Sequence, residues 1–122
     1  METALYYDDI YLVPNYSELR SRKEADTTVV FGNSRFELPI IPSNMMSVIN
    51  EEWASWLCDN HYFYVMHRFN GCTIPFVRKA NQENWDTISI STGVNEDSLF
   101  ELQVLANDKC LVDYITDRKS VV

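Results

Sequence analysis

"HYFYVMHRF", residues 61–69, runs through five consecutive apolar or aromatic side chains, Tyr62 to Met66, straight into His67 and Arg68 with no turn residue between. A run of that length and composition reads as a buried strand. Similar runs lie on either side: "LPIIP" at 38–42, "TISIS" at 87–91 and "LVDYIT" at 111–116. Their starts recur every 24 or 25 residues, which leaves room for one strand, one helix and two short loops. The intervening segments read as helices. Asn50 is a candidate N-cap before Glu51 and Glu52, with Trp53, Trp56 and Leu57 on one face. A second helix is expected from about Thr73 to Asn84, with Pro75 tolerable only in its first turn. A third starts after Asn95, where Leu99, Leu102 and Ala106 recur at helical spacing.

Alternating strand and helix imply a parallel sheet, so the carboxyl ends of the strands share one side, where α/β folds gather their ligands. That order explains why an apolar strand runs into a cation. His67, Arg68 and Phe69 stand past the end of the second run, Ser43, Asn44 and Met45 past the first, and Ser91, Thr92 and Gly93 at the end of the third. The competing reading is that a chain leaving a core turns polar in any case. For His67 alone a satisfied structural imidazole is the expectation, and Trp53, Trp56 and Met66 are expected in the core. Asp8 and Asp9 are adjacent, and one strand face cannot hold both, so they do not read as a metal pair.

Composition bounds the function. The 122 residues suffice for one domain, and 46% of them are hydrophobic. A net charge of -8 argues against a nucleic-acid partner, which needs clustered Lys and Arg. No apolar run approaches the ~20 residues that cross a bilayer, and "METALYYDDI" lacks the pattern of a signal peptide, so a cytoplasmic protein without membrane contact is expected. Cys58, Cys72 and Cys110 stand in no metal-ligand spacing and read as reduced, mostly buried thiols. Residues 1–37 form an extension to the βα units of 38–116. Within it "VVFGNSRFEL" signals a hairpin about Gly32, Asn33 and Ser34, and "LRSRKEAD" reads either as a solvated loop or as an anion-binding segment.

"YDDIYLVPNYSELRSRKEADTT", "LPIIPSNMMSVINEEWASWLCDNHYFYVMHRF" and "ISISTGV", in that order and spacing, resemble the amino-terminal part of the IMP dehydrogenase and GMP reductase family. The form of "YFYVMHRF", and the direct passage from Phe69 into "NGCTIPFVRKA" without an inserted domain pair, are similar to the bacterial GMP reductases within it. The resemblance implies a (β/α)8 TIM barrel, of which this α/β chain is the amino-terminal half, truncated after the fourth strand. It implies reduction of GMP to IMP and ammonia with NADPH, through a covalent adduct on a cysteine, in a homotetramer. By the same resemblance Ser43 and Met45 match the loop that approaches the nucleotide. Ser21 and Arg22 match residues that reach a neighbouring subunit's cofactor, and Arg68 matches a basic residue near the cofactor phosphates.

The family's nucleophilic cysteine lies on a later loop, and none of the three cysteines matches it, so these residues are expected to catalyse nothing and to fold poorly alone. At Asp117 the sequence leaves the family's pattern. "DRKSVV", 117–122, is the translation of a common sequencing adapter and is expected to be a non-native tail. Alternative readings are an IMP dehydrogenase fragment or a non-enzymatic nucleotide-binding half-barrel that pairs with itself. A receiver-like signalling module would need an Asp where Ser91 and Thr92 stand.

Overall fold

The computed structural model describes residues 2–117. Strands β1 (Val29–Phe31) and β2 (Ser34–Phe36) form the expected antiparallel hairpin, with Val29 opposite Phe36. Gly32 opens the turn at φ +65°, the backbone that glycine adopts without steric cost. Strands β3 (Ser89–Thr92) and β4 (Tyr114–Asp117) pair in parallel, Ser89 beside Tyr114 and Thr92 beside Asp117. The helices are α1 (Glu51–Asp59), α2 (Thr73–Gln82) and α3 (Glu96–Asn107). Asn50 Oδ1 accepts from Trp53 N at 2.8 Å and Asn95 Oδ1 from Ser98 N at 2.9 Å, so both predicted caps form. Pro75 sits in the first turn of α2, where its missing N–H leaves no bond unmade.

The core has two sides because residues 62–66 present alternate side chains to each. Tyr64 and Met66 pack with Ile88 and Ile90 against Ala54 and Cys58 of α1, Phe76, Val77 and Ala80 of α2, and Leu105 of α3. Phe63 and Val65 face the other way, against Phe36 of the hairpin, with Val29 and Tyr114 at the margin. The hairpin is thus part of the packed body. Tyr114 Oη donates to the Phe31 carbonyl, the two rings stack at 5.4 Å, and a Cβ on Gly32 would stand 3.1 Å from Tyr114 Cε1.

Two of the expected strands differ. The 62–66 run makes a single bridge, in which Met66 N donates to Ser89 O and Met66 O accepts from Ser91 N, both at 3.1 Å. Where the ladder would continue, the Tyr64 phenol takes both groups: it donates to Thr87 O at 2.6 Å and accepts from Ser89 N at 3.2 Å. "LPIIP" enters no ladder at all. Pro39 and Pro42 have no N–H to offer, Ile40 and Ile41 are exposed, and the nearest backbone bond is Glu37 N to His61 O at 2.9 Å.

Two core assignments also change. Met66 is buried as expected, but Trp53 is 54% and Trp56 50% exposed. The inward face of α1 is Ala54 and Cys58, and the tryptophans continue outward into a stack in which Trp56 lies 5.8 Å from Tyr62. In α3 the buried residues are Ser98 and Leu105, while Leu99 is exposed. Asp117 is the last residue of β4, and the rest of the expected tail, 118–122, lies outside the described residues.

Replacing Tyr64 with Phe removes the hydroxyl, leaves Ser89 N without its partner in a dry environment and leaves Thr87 O with only the weak Cys58 thiol donor. The expected loss is about 1–3 kcal/mol, read as a lower urea midpoint with an unchanged slope.

Candidate functional site

Three loops meet beyond the carboxyl ends of the 38–42, 62–66 and β3 segments. The first turns at Met45, whose carbonyl accepts from Val48 N at 2.9 Å and Ile49 N at 3.0 Å, and is anchored by the buried Ile49. The second holds His67, buried, with Nδ1 accepting from Phe69 N at 3.2 Å. The Cys72 thiol donates to His67 O at 3.1 Å and lies 3.6 Å from Nδ1. Asn70 turns the loop at φ +59°, in the left-handed region where Asn is enriched. Its amide donates to Met46 Sδ at 3.1 Å, tying the second loop to the first. In the third loop Thr92 Oγ1 donates to Gly93 O, while Ser91 Oγ holds Met66 O at 2.7 Å.

A cavity of about 440 Å³ opens on the hairpin side of the sheet, lined among others by Ser43, Asn44, Phe63, Val65, Tyr114 and Thr116. Its size suits a small organic ligand, and its walls are apolar with a few polar groups, the usual make-up of such sites. Ser43, expected on the nucleotide side, lines it; Met45 sits in the turn just beyond. Arg68 lies apart from this cavity, half-buried, with its guanidinium over the Phe69 ring and its Nε buried without an acceptor.

Ser21 and Arg22 belong to a different part of the molecule. Ser21 Oγ accepts from Lys23 N at 3.3 Å and caps a 3-10 turn, Arg22–Glu24. Among the described residues every hydrogen bond of segment 2–25 stays within it, and Leu5, Tyr7, Tyr11 and Leu12 are exposed. Asp9 accepts from Tyr6 N at 2.9 Å, a local capping role. Sequence reasoning missed Tyr114, Ile115 and Thr116 as cavity walls, since the wall they form with the hairpin and residues 41–44 comes from packing distant in the chain. It also missed Asn70, although an Asn before a Gly is a turn signal.

Among the described residues no group of three His, Cys, Asp or Glu is placed to hold a metal, and no helix is long and apolar enough to cross a membrane. The cysteines are free. Burial raises the pKa of the Cys58 and Cys72 thiols and of the Tyr64 phenol.

The chain has an α/β fold that superposes on part of inosine 5'-monophosphate dehydrogenase from Legionella pneumophila with a TM-score of 0.71 at 24% identity, over 94% of this chain and 35% of that one. In sequence it resembles GMP reductases. It is 45% identical over 111 residues to the GMP reductase of Helicobacter pylori strain G27, 90% of this chain and 34% of that protein. It is 44% identical over 110 residues to that of Latilactobacillus sakei and 44% over 111 to that of Staphylococcus aureus strain JH9. The chain therefore spans about a third of the length of the curated relatives it matches. No protein-family model matches it.

The raised thiol and phenol values set a pH dependence. Folded, these groups keep their protons where the unfolded chain has released them, so their contribution is fully present below the unfolded values and is lost as pH rises through the folded ones. The urea midpoint is expected to fall between neutral pH and about pH 10. Alkylation of Cys72 by iodoacetamide is expected to run slower than that of an unstructured peptide thiol at about pH 8, because less of it is thiolate.

Proposed function

We propose that the chain is the amino-terminal part of an NADPH-dependent GMP reductase, a cytoplasmic homotetramer that converts GMP, NADPH and two protons to IMP, NADP+ and ammonium. The observation that carries this reading is 45% identity to a GMP reductase across 90% of the chain, a stretch that includes the "VMHRF" turn from strand to rim. Ser43 on the cavity wall supports a nucleotide on the hairpin side of the sheet. Arg68, with its planar fork beyond the 62–66 run, supports phosphate contacts for the cofactor. Ser21 and Arg22 stand on an exposed arm, consistent with contacts to a neighbouring subunit's cofactor. Met45, in the turn beside Ser43, is the proposed second nucleotide contact.

The chemistry needs groups beyond these. Cys58 is core, Cys110 follows α3, and Cys72 is engaged by His67 with its pKa raised, so none suits the role of nucleophile at a rim loop. The 122 residues alone are accordingly expected to consume no NADPH with GMP. Ile40, Ile41, Val30 and Ile115 are exposed beside unpaired backbone, so the chain is also expected to self-associate in size-exclusion chromatography.

The alternative within the family, IMP dehydrogenase, draws on the Legionella pneumophila fold match. The two are separated by assay of the longer gene product: GMP-dependent loss of NADPH absorbance supports the proposal, and IMP-dependent reduction of NAD overturns it. In that protein Arg22→Ala and Arg68→Ala are each expected to raise KM for NADPH about tenfold while leaving KM for GMP little changed. Equal shifts in both constants would remove the cofactor assignment.

A further inference from the structure

The surroundings of Arg68 leave its charge uncompensated. No carboxylate among the described residues lies within 4.0 Å of it, the exposed Glu96 and Asp97 included, and its buried Nε has no acceptor. A partly buried cation in that condition is costly unless an acceptor arrives from outside.

The guanidinium is nevertheless held in place. Its Cζ lies 5.3 Å from the Phe69 ring centroid, and that ring stacks on the buried His67 at 6.3 Å. On the β3 side it meets Gly93, where an added Cβ would fall 3.3 Å from Arg68 Nη1, 3.7 Å from Cζ and 3.0 Å from Ser98 Oγ. Gly93 is buried and its φ lies outside the left-handed region, so the backbone does not demand glycine there. The Ser98 hydroxyl and the Arg68 guanidinium together crowd the place a Cβ would take, and supply the reason that the backbone does not.

We propose that Gly93 is the positioning residue of an anion seat whose charged group is Arg68 and whose ligand is a phosphate or diphosphate at the carboxyl ends of the strands. Phe69 supports the guanidinium from one side, and the missing side chain at position 93 lets it lie against the β3 loop with its free N–H groups turned to the ligand. The inference rests on the reading of Arg68 as a phosphate contact and adds the residue that aims it. Its probe is inorganic pyrophosphate, so the outcome does not depend on which reaction the longer protein catalyses.

The test is equilibrium dialysis of pyrophosphate against the full chain, Gly93→Ala, Arg68→Lys and the double variant; it counts bound ligand per chain whether the protein is monomeric or associated. Each single change is expected to raise the dissociation constant about tenfold, and the double variant to bind no worse than either single one, because Gly93→Ala acts only through the placement of Arg68. A purely structural role for Gly93 would make the losses add. The added methyl meets only side-chain ends, and Ser98→Ala combined with Gly93→Ala relieves the tighter contact should Gly93→Ala alone fail to fold. Competition by a nucleoside monophosphate or by a dinucleotide diphosphate identifies which source the seat takes. Absence of pyrophosphate binding, an unchanged constant in Gly93→Ala, additive losses, or displacement by neither competitor overturns the proposal.

Discussion

Residues 63–66 are buried on both faces, and the rest of the fold is arranged to cover them. Tyr64 and Met66 require the three helices on one side, while Phe63 and Val65 require the hairpin and Tyr114 on the other. Backbone polarity inside this layer is the harder problem, since a buried carbonyl or amide without a partner costs more than most single contacts return. The Tyr64 hydroxyl meets it by acting as acceptor for Ser89 N and donor to Thr87 O. A side chain here completes what the ladder leaves open, and Cys58 Sγ adds a weaker donor to the same carbonyl at 3.5 Å.

The same layer fixes where chemistry can occur. Because Met66 pairs in parallel with Ile90, His67 and Arg68 follow beside Ser91 and Thr92, and the Arg68 guanidinium reaches Gly93. The Asn70 to Met46 contact then ties the neighbouring loop to theirs. The cavity bearing Ser43 and the loop bearing Arg68 are separate features, served by opposite faces of one chain segment.

Much of this was legible in the sequence where the controlling chemistry is local. The caps Asn50 and Asn95, the Gly32 turn and the strand-to-rim passage at Met66–His67 all follow from side chains acting within a few residues. "LPIIP" reads as a strand on its β-branched isoleucines, whereas pairing depends on donors the prolines lack. Trp53 and Trp56 lay on one face as expected, but the smaller Ala54 and Cys58 fit closer to the sheet, and only packing reveals which face wins. Pattern puts Ser43 at the carboxyl edge of its run and no further; that it lines the cavity is seen only in the structure. The crowding at Gly93 is not legible in this way, because part of it comes from the Arg68 guanidinium, 25 residues earlier in the chain, and the rest from Ser98 Oγ.

The clamp between Tyr114 and the hairpin joins residues 83 positions apart. A two-stranded hairpin closes in about microseconds once its residues are free to pair, yet it is marginal in water until something covers its apolar side. During synthesis that cover arrives late: Phe31 and Phe36 emerge from the ribosome roughly 4–16 seconds before Tyr114 at about 5–20 residues per second. Phe63, whose ring packs edge-on against both Phe31 and Phe36, gives that face its first cover, and Tyr114 completes it. The hairpin is therefore the last part of the packed body to be completed in the order of synthesis, since its clamp waits for Tyr114.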